Sequence, residues 1–244
     1  MALPLDLSQS PSHNRAAVAA VRAGELAVSE MFESFQGEGV RMGLPSFFVR
    51  LRHCDGVCSW CDAKYTWLSG GEGKNLRAAE VLALARQSRA GNVVVTGGEP
   101  LLQWRTLTDL VRGLLASKKT VEIETNGAHR PLGVFGVQYN VSPKLASAAS
   151  GLAYDRAVFE AFAAEDAWYK FVVADESDFR EAIAFVERFG LPRDRVLFMP
   201  EGTRREVLQE RLAWLAPLVV REFPHGRVTT RLHVEVYGKA LKGV

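Results

Sequence analysis

Short runs of β-branched and aromatic residues alternate with amphipathic stretches along most of the chain. The runs predict strands over Ala27–Phe32, Ser46–Leu51, Val93–Thr96, Thr120–Glu124, Gly136–Val141, Trp168–Val173, Val196–Met199 and Val228–Val234. The stretches between them predict helices over Arg77–Arg89, Trp104–Ala116, Arg156–Phe162, Ser177–Phe189 and Arg204–Val219. Pro100 precedes the second helix, and Asp175, Ser177 and Asp178 at the start of the fourth are favourable N-terminal residues. The last helix carries Val207, Leu208, Leu212, Leu215 and Leu218 at the spacing of one buried face. Strands separated by helices of this length imply βα units, a parallel sheet and the α/β class. In such sheets chemistry gathers at the C-terminal strand ends.

Residues 1–26 read as an N-terminal extension ending in a short helix over Arg15–Arg22, and 27–244 as one domain without repeats or long linkers. A chain of 244 residues, 48% hydrophobic and 24% charged, has ordinary globular composition and suits a single domain of α/β-barrel type. The formal net charge of +2 is not the basic footprint of a nucleic-acid binder. No apolar run is long enough to cross a membrane. The segment Met1 to Glu25 lacks a charged region followed by an apolar one, so it does not read as a signal peptide. A cytoplasmic protein without nucleic-acid or membrane partners is expected.

The 3 cysteines sit together in His53-Cys54-Asp55-Gly56-Val57-Cys58-Ser59-Trp60-Cys61-Asp62, a C-x3-C-x2-C spacing. An odd, clustered set is a poor disulfide framework and reads better as ligands to one metal centre. Three thiolates on a tight loop suit three irons of a cubane and leave the fourth iron open to a ligand, whereas electron-carrier clusters are usually closed by four cysteines. The competing reading is a Cys3His zinc site, a non-catalytic module completed by His53, His129, His225 or His233. Thr96-Gly97-Gly98-Glu99-Pro100 follows the Val93–Thr96 run; its glycines serve either close approach to a ligand or a tight βα turn. Glu124 in Glu124-Thr125-Asn126-Gly127 is either structural or turned to the site, and Ser142-Pro143-Lys144 is either a ligand contact or an exposed turn.

The cysteine loop, followed at the next strand end by the Gly-Gly-Glu-Pro stretch, resembles the radical S-adenosylmethionine (SAM) superfamily. The resemblance implies a partial (β/α) barrel with outer helices, and a 4Fe-4S cluster held by Cys54, Cys58 and Cys61. SAM would chelate the open iron and be cleaved on one-electron reduction to methionine and a 5′-deoxyadenosyl radical. Trp60 fills the place of an aromatic residue near the adenine, although plain packing explains a Trp equally well.

Phe35-Gln36-Gly37-Glu38-Gly39, Phe48-Val49-Arg50 and the run from Cys61 into Asp62-Ala63-Lys64-Tyr65-Thr66-Trp67 are similar to the 7-carboxy-7-deazaguanine synthase family. So are Leu232-His233, Gly238 and the terminal Lys242-Gly243-Val244. The likeness covers roughly residues 30–244. It implies a lyase that contracts the ring of 6-carboxy-5,6,7,8-tetrahydropterin with loss of ammonia, on the route to queuosine and related deazapurines. The reagent is the SAM-derived radical, so no side chain is expected to be the catalyst. Phe35, Gln36, Gly37, Glu38, Arg50 and Thr96 would bind the pterin. Trp60, Asp62, Gly98, Glu99, Ser142, Lys144, Met199, Pro200 and Glu201 would bind SAM. Met199 stands where some members have Gln, so a backbone contact is expected there. Arg50 offers a planar fork to the substrate carboxylate, and in isolation fits a structural ion pair as well. The family further implies a reducing partner such as flavodoxin or ferredoxin, and a homodimer. Magnesium is a candidate third cofactor, but Ala63 replaces the Thr whose hydroxyl helps bind Mg2+ in many members, so a weaker Mg2+ dependence is expected. Among other radical SAM enzymes, a glycyl-radical activase shares the cysteine spacing but has no need of the Gln36–Arg50 set.

Overall fold

The computed structural model describes residues 11–68, 72–239 and 242–243; residues 1–10 of the expected N-terminal extension and Val244 lie outside them. Within this span one sheet is built from β1 (Glu25–Phe35), β2 (Pro45–Leu51), β3 (Lys74–Arg77), β4 (Asn92–Gly97), β5 (Thr120–Thr125), β6 (Val137–Val141), β7 (Asp166–Val173), β8 (Val196–Pro200) and β9 (Arg227–Val228). Its order is β3-β1-β2-β4-β5-β6-β7-β8-β9, open between β3 and β9. Every neighbour from β2 to β9 is parallel. That is the expected partial barrel of α/β class.

The helices are α1 (Pro11–Ala19), α2 (Ala78–Gln87), α3 (Trp104–Ala116), α4 (Arg156–Ala163), α5 (Glu176–Phe189), α6 (Arg205–Glu222) and α7 (Leu232–Tyr237). Local chemistry sets their ends. The Asp155 side chain accepts from Ala157 N to start α4, the Asp175 side chain accepts from Asp178 N to start α5, and Gly190 at φ 65 ends α5.

The sheet has two unlike faces. Val93, Val95, Val121, Ile123, Tyr139, Val141, Tyr169, Phe171 and Phe198 point outward into a core completed by Leu107, Leu110, Phe159, Phe179 and Leu215 of the helices. Full burial of each such side chain contributes roughly 1.5–3 kcal/mol. The alternate positions face inward, and there Glu122, Asn140 and Lys170 are buried polar residues.

Several elements differ from the sequence expectation. β1 runs antiparallel to both β2 and β3, because a short hairpin loop joins β1 to β2 and only parallel neighbours need a crossover. β3 carries a single apolar residue, Leu76, and so has no strand pattern to read. The N-terminal helix lies at Pro11–Ala19, ahead of Arg15–Arg22, with Asn14 fully buried and its Oδ1 3.2 Å from His53 Nδ1. The run Val228–Val234 is not one strand. Only Arg227 and Val228 pair with β8; the chain then turns inward, Leu232 N donates to Gly37 O at 2.7 Å, and α7 follows, ended by Gly238 at φ 80.

The antiparallel edge is fastened by Gln103, whose Oε1 accepts from Ala27 N at 2.7 Å and whose Nε2 donates to Ala27 O and Arg52 O at 3.2 Å each. Replacing Gln103 by Met strands the Ala27 N–H in a dry site, and is expected to cost about 1–3 kcal/mol in urea unfolding.

Candidate active site

A cavity of about 410 Å³ opens at the C-terminal ends of β2 and β4 to β8. Its far wall is the β1–β2 hairpin loop. Gln36 N donates to Leu44 O at 2.8 Å and Gly43 N to Gln36 O at 2.7 Å, pinching the loop at its base. The tip then crosses the inner face of the sheet: Gly39, at φ 72, lies so close to the Asn140 amide that a Cβ would overlap it. Glu38 reaches Lys170 on β7.

The three cysteines line this cavity together. Their loop is held by Val57 N donating to Ser150 O at 3.1 Å and Ser59 N to Ala148 O at 2.8 Å. Asp55 braces it from behind, accepting from Asn126 Nδ2 at 3.0 Å and lying 2.7 Å from His129 Nε2. The two glycines of the next loop serve close packing here: a Cβ on Gly97 would meet Leu51 O, and one on Gly98 would meet His53 O. The tight-turn reading is what the packing shows, and Gly98 also lines the cavity.

The donor set fits an iron–sulfur cluster. Gly56 N donates to Cys54 Sγ at 3.4 Å and Trp67 Nε1 to Cys61 Sγ at 3.5 Å, interactions that favour thiolates. Burial, reinforced at Cys54 by Glu99, pushes all three thiols up, so a bound metal is what would deprotonate them. Zinc fits less well. With Zn–S near 2.3 Å, a tetrahedral ion would bring the sulfurs to about 3.8 Å of one another. Among the described residues the one group of His, Cys, Asp and Glu gathered within 4.8 Å is Glu38, Asp62 and His233, which contains no sulfur. Two of the candidate fourth ligands are bonded elsewhere, His53 with Asn14 and His129 with Asp55; His233 groups with Glu38 and Asp62, and His225 is exposed.

Of the residues expected to hold SAM, Trp60, Asp62, Gly98, Ser142, Lys144, Met199 and Glu201 line the cavity. Lys144 Nζ donates to Ser142 Oγ at 3.0 Å and sits 5.7 Å from the centre of the Trp60 ring. Trp60 Nε1 is buried without a partner, as a donor waiting on a ligand would be. Two of the set stand behind the wall. Glu99 is fully buried and spends its carboxylate on Leu101 N at 2.9 Å, Thr125 Oγ1 at 2.9 Å and Asn126 N at 2.7 Å. Pro200 closes β8 inside the sheet.

Phe35, Gln36, Gly37, Glu38, Arg50 and Thr96 all reach the cavity, but not equally freely. Arg50 Nε donates to Glu30 Oε1 at 2.8 Å, and Tyr65 OH donates to the same oxygen at 2.7 Å. The structural ion pair is therefore present; it takes Nε and leaves Arg50 at the cavity wall. Gln36 is 2% exposed, and its Nε2 donates to Glu122 and, at 3.2 Å, to Glu124, while its Oε1 accepts from Glu38 N at 3.2 Å. Thr96 Oγ1 donates to Glu124 Oε2 at 2.7 Å, so Glu124 faces the site. Ala63 lines the cavity and brings no side-chain oxygen.

Lys170, Arg231 and Glu122 also matter here and carry no motif signal in the sequence; His233 entered there as a zinc candidate and within the Leu232-His233 resemblance. Glu38 is drawn both ways: burial raises its carboxyl, but Lys170 and Arg231 outweigh burial and hold it well below the ordinary range. Asp62 is likewise lowered against burial by Arg231. Burial pushes Glu122 up to about 8, with Glu124 adding to the effect.

The radical SAM superfamily model matches residues 48–209. The 7-carboxy-7-deazaguanine synthase of Pyrobaculum aerophilum is 40% identical over 219 residues, covering 87% of this chain and 95% of that protein. The 7-carboxy-7-deazaguanine synthase of Hyperthermus butylicus is 40% identical over 72% of this chain and 77% of its own length. A crystal structure of QueE from Escherichia coli superposes with a TM-score of 0.67 at 25% identity, covering 90% of this chain and 98% of that one.

Glu122 sets a pH dependence. Its folded value of about 8 lies above the ordinary 4.5, so between these limits the folded protein holds the extra proton and stability falls as pH rises. Glu122→Gln removes that titration. Urea unfolding under argon is expected to show the variant close to the native protein at pH 5 and more stable by ~1–3 kcal/mol at pH 8.

Proposed function

The chain belongs to the 7-carboxy-7-deazaguanine synthase family of the radical SAM superfamily, and from that premise we propose that its cavity converts 6-carboxy-5,6,7,8-tetrahydropterin to 7-carboxy-7-deazaguanine with loss of ammonia. The observation that carries the reading is that the cysteine triad and the residues expected to bind the pterin line one cavity. Cys54, Cys58 and Cys61 would hold a 4Fe-4S cluster, with SAM beside it against Trp60, Gly98, Ser142, Lys144 and the Met199–Glu201 stretch. When bound, cluster and SAM together supply a radical that abstracts hydrogen.

The chain's own residues then have three tasks. Arg50, fixed through Nε by Glu30, turns the rest of its guanidinium to the substrate carboxylate. Glu124, ordered by Thr96 and Gln36, offers carboxylate oxygens to the amino-pyrimidinone edge of the pterin. Gln36 acts mainly as the link between Glu122 and Glu124, and Phe35 supplies apolar surface. Buried walls keep water from the reactive intermediates. The reading extends to a carbon–nitrogen lyase of deazapurine biosynthesis, cytoplasmic and homodimeric, that takes its electron from a reduced flavodoxin or ferredoxin. No helix among the described residues is long and apolar enough to cross a membrane.

Anaerobic incubation of the reconstituted protein with SAM, dithionite and 6-carboxytetrahydropterin is expected to give 7-carboxy-7-deazaguanine with little net loss of SAM. Deoxyadenosine without that product would remove the pterin and leave the radical SAM chemistry. Arg50→Ala is expected to raise KM for the pterin roughly 10–100-fold, the worth of a charge-assisted hydrogen bond, with kcat less affected. An unchanged KM would take the carboxylate away from Arg50.

A further inference from the structure

Four charged side chains meet where the C-terminal segment closes the cavity. Glu38 accepts from Lys170 Nζ and, at 2.8 Å, from Arg231 Nε. Asp62 accepts from Arg231 through a terminal guanidinium nitrogen, and the other terminal nitrogen donates to Gly202 O at 2.7 Å. Lys170 is 5% exposed and Arg231 8%. Arg231 thus joins the hairpin loop, through Glu38, to the cysteine loop, through Asp62.

The same two carboxylates, with His233, place ligand atoms within 4.8 Å of one another, which is the spacing of a divalent-cation site. The charges argue against an ion there. Two carboxylates are already balanced by one guanidinium and one ammonium, and each lies within a salt bridge. A cation entering would leave a buried guanidinium uncompensated, which is costly. Neighbouring Ala63 offers no side-chain oxygen and its carbonyl is taken by Thr66, while Mg2+ demands a nearly complete octahedron of oxygens. The residues do not fit a bound Mg2+.

We propose that Arg231 is a built-in cation: it does in this chain what a divalent ion would do between Glu38 and Asp62, fixing the substrate loop at a set distance from the cluster loop without metal. The guanidinium is suited to it, because its planar fork bonds two carboxylates and a carbonyl at once and carries its charge at every pH of interest. Metal independence of turnover rests on the reading of the cavity given above; the absence of a cation site at Glu38 and Asp62 does not.

The test is an anaerobic Mn2+ titration of the cluster-loaded protein, read from the EPR signal of free Mn2+ while the oxidised cluster is silent. The native protein is expected to leave that signal unchanged. Arg231→Gln, which frees Glu38 and Asp62 beside His233, is expected to take up one Mn2+ per chain at concentrations roughly tenfold or more below any native uptake, as loss of one buried positive charge requires. Arg231→Lys keeps the charge and is expected to bind none. Turnover of the native protein passed over chelating resin is expected to be unaffected by added Mg2+, while Arg231→Gln loses turnover and regains part of it with Mn2+. Stoichiometric Mn2+ binding by the native protein or by Arg231→Lys overturns the proposal. So does a folded Arg231→Gln that binds no Mn2+, or native turnover that needs Mg2+. If no product forms under any metal condition while the Mn2+ pattern is as described, the pterin reading fails and the role of Arg231 stands.

Discussion

Charge buried on the inner face of an open sheet has to be answered in place, and the rest of this structure is arranged around that requirement. An ionised side chain taken from water without a partner costs several kcal/mol. Lys170 on β7 therefore depends on Glu38, which the hairpin loop carries across the barrel. Glu38 and Asp62 in turn depend on Arg231, supplied from the far end of the chain. Glu122 forms no salt bridge among the described residues and is answered differently: burial pushes its carboxyl up to about 8, and it takes hydrogen bonds from Gln36 and Asn140. The apolar outer face, packed under the helices, makes these inward placements affordable.

Close backbone approach performs the complementary task on the cluster side. Gly97 and Gly98 bring the loop after β4 against Leu51 and His53, so the cysteine loop rests on the neighbouring strand end. Glu99 then ties that loop to Thr125 and Asn126, and Asn126 holds Asp55 beside Cys54. Glu99, expected at the ligand, thus acts one layer behind it. Its buried carboxylate carries the geometry of the wall from β4 to β5. A wall built from main-chain contacts and saturated side chains holds the cysteine loop and the hairpin loop in fixed relation, as preorganised chemistry needs.

What the sequence made legible was local. The cysteine spacing, the glycine pair and the Ser142–Lys144 turn each lie within a few residues, and each is found at the cavity. The parallel part of the sheet was also legible, because apolar runs and helix patterns alternate there. What escaped depends on contacts far apart in the chain. Lys170 and Glu38 are 132 residues apart and Arg231 and Asp62 are 169 apart, so no local pattern links them. The start of α7 was read as the end of a strand over Val228–Val234, because Leu232 and Val234 alternate with polar neighbours, yet tethers at Gly37 and Gly238 wind it into a helix. One signal was present and unused. In Thr120–Thr125 and Val137–Val141 polar residues occupy every second position of strands that pack under helices, which marks an inner face built for a ligand.

In the proposed function, Cys54, Cys58 and Cys61 hold a cluster with one iron left open to SAM inside this cavity. The most direct measurement is EPR of the reconstituted, dithionite-reduced protein, frozen with and without SAM. The account predicts about four irons per chain and a reduced-cluster signal whose g-values shift when SAM is added. A signal indifferent to SAM, or a colourless protein carrying zinc, would contradict it.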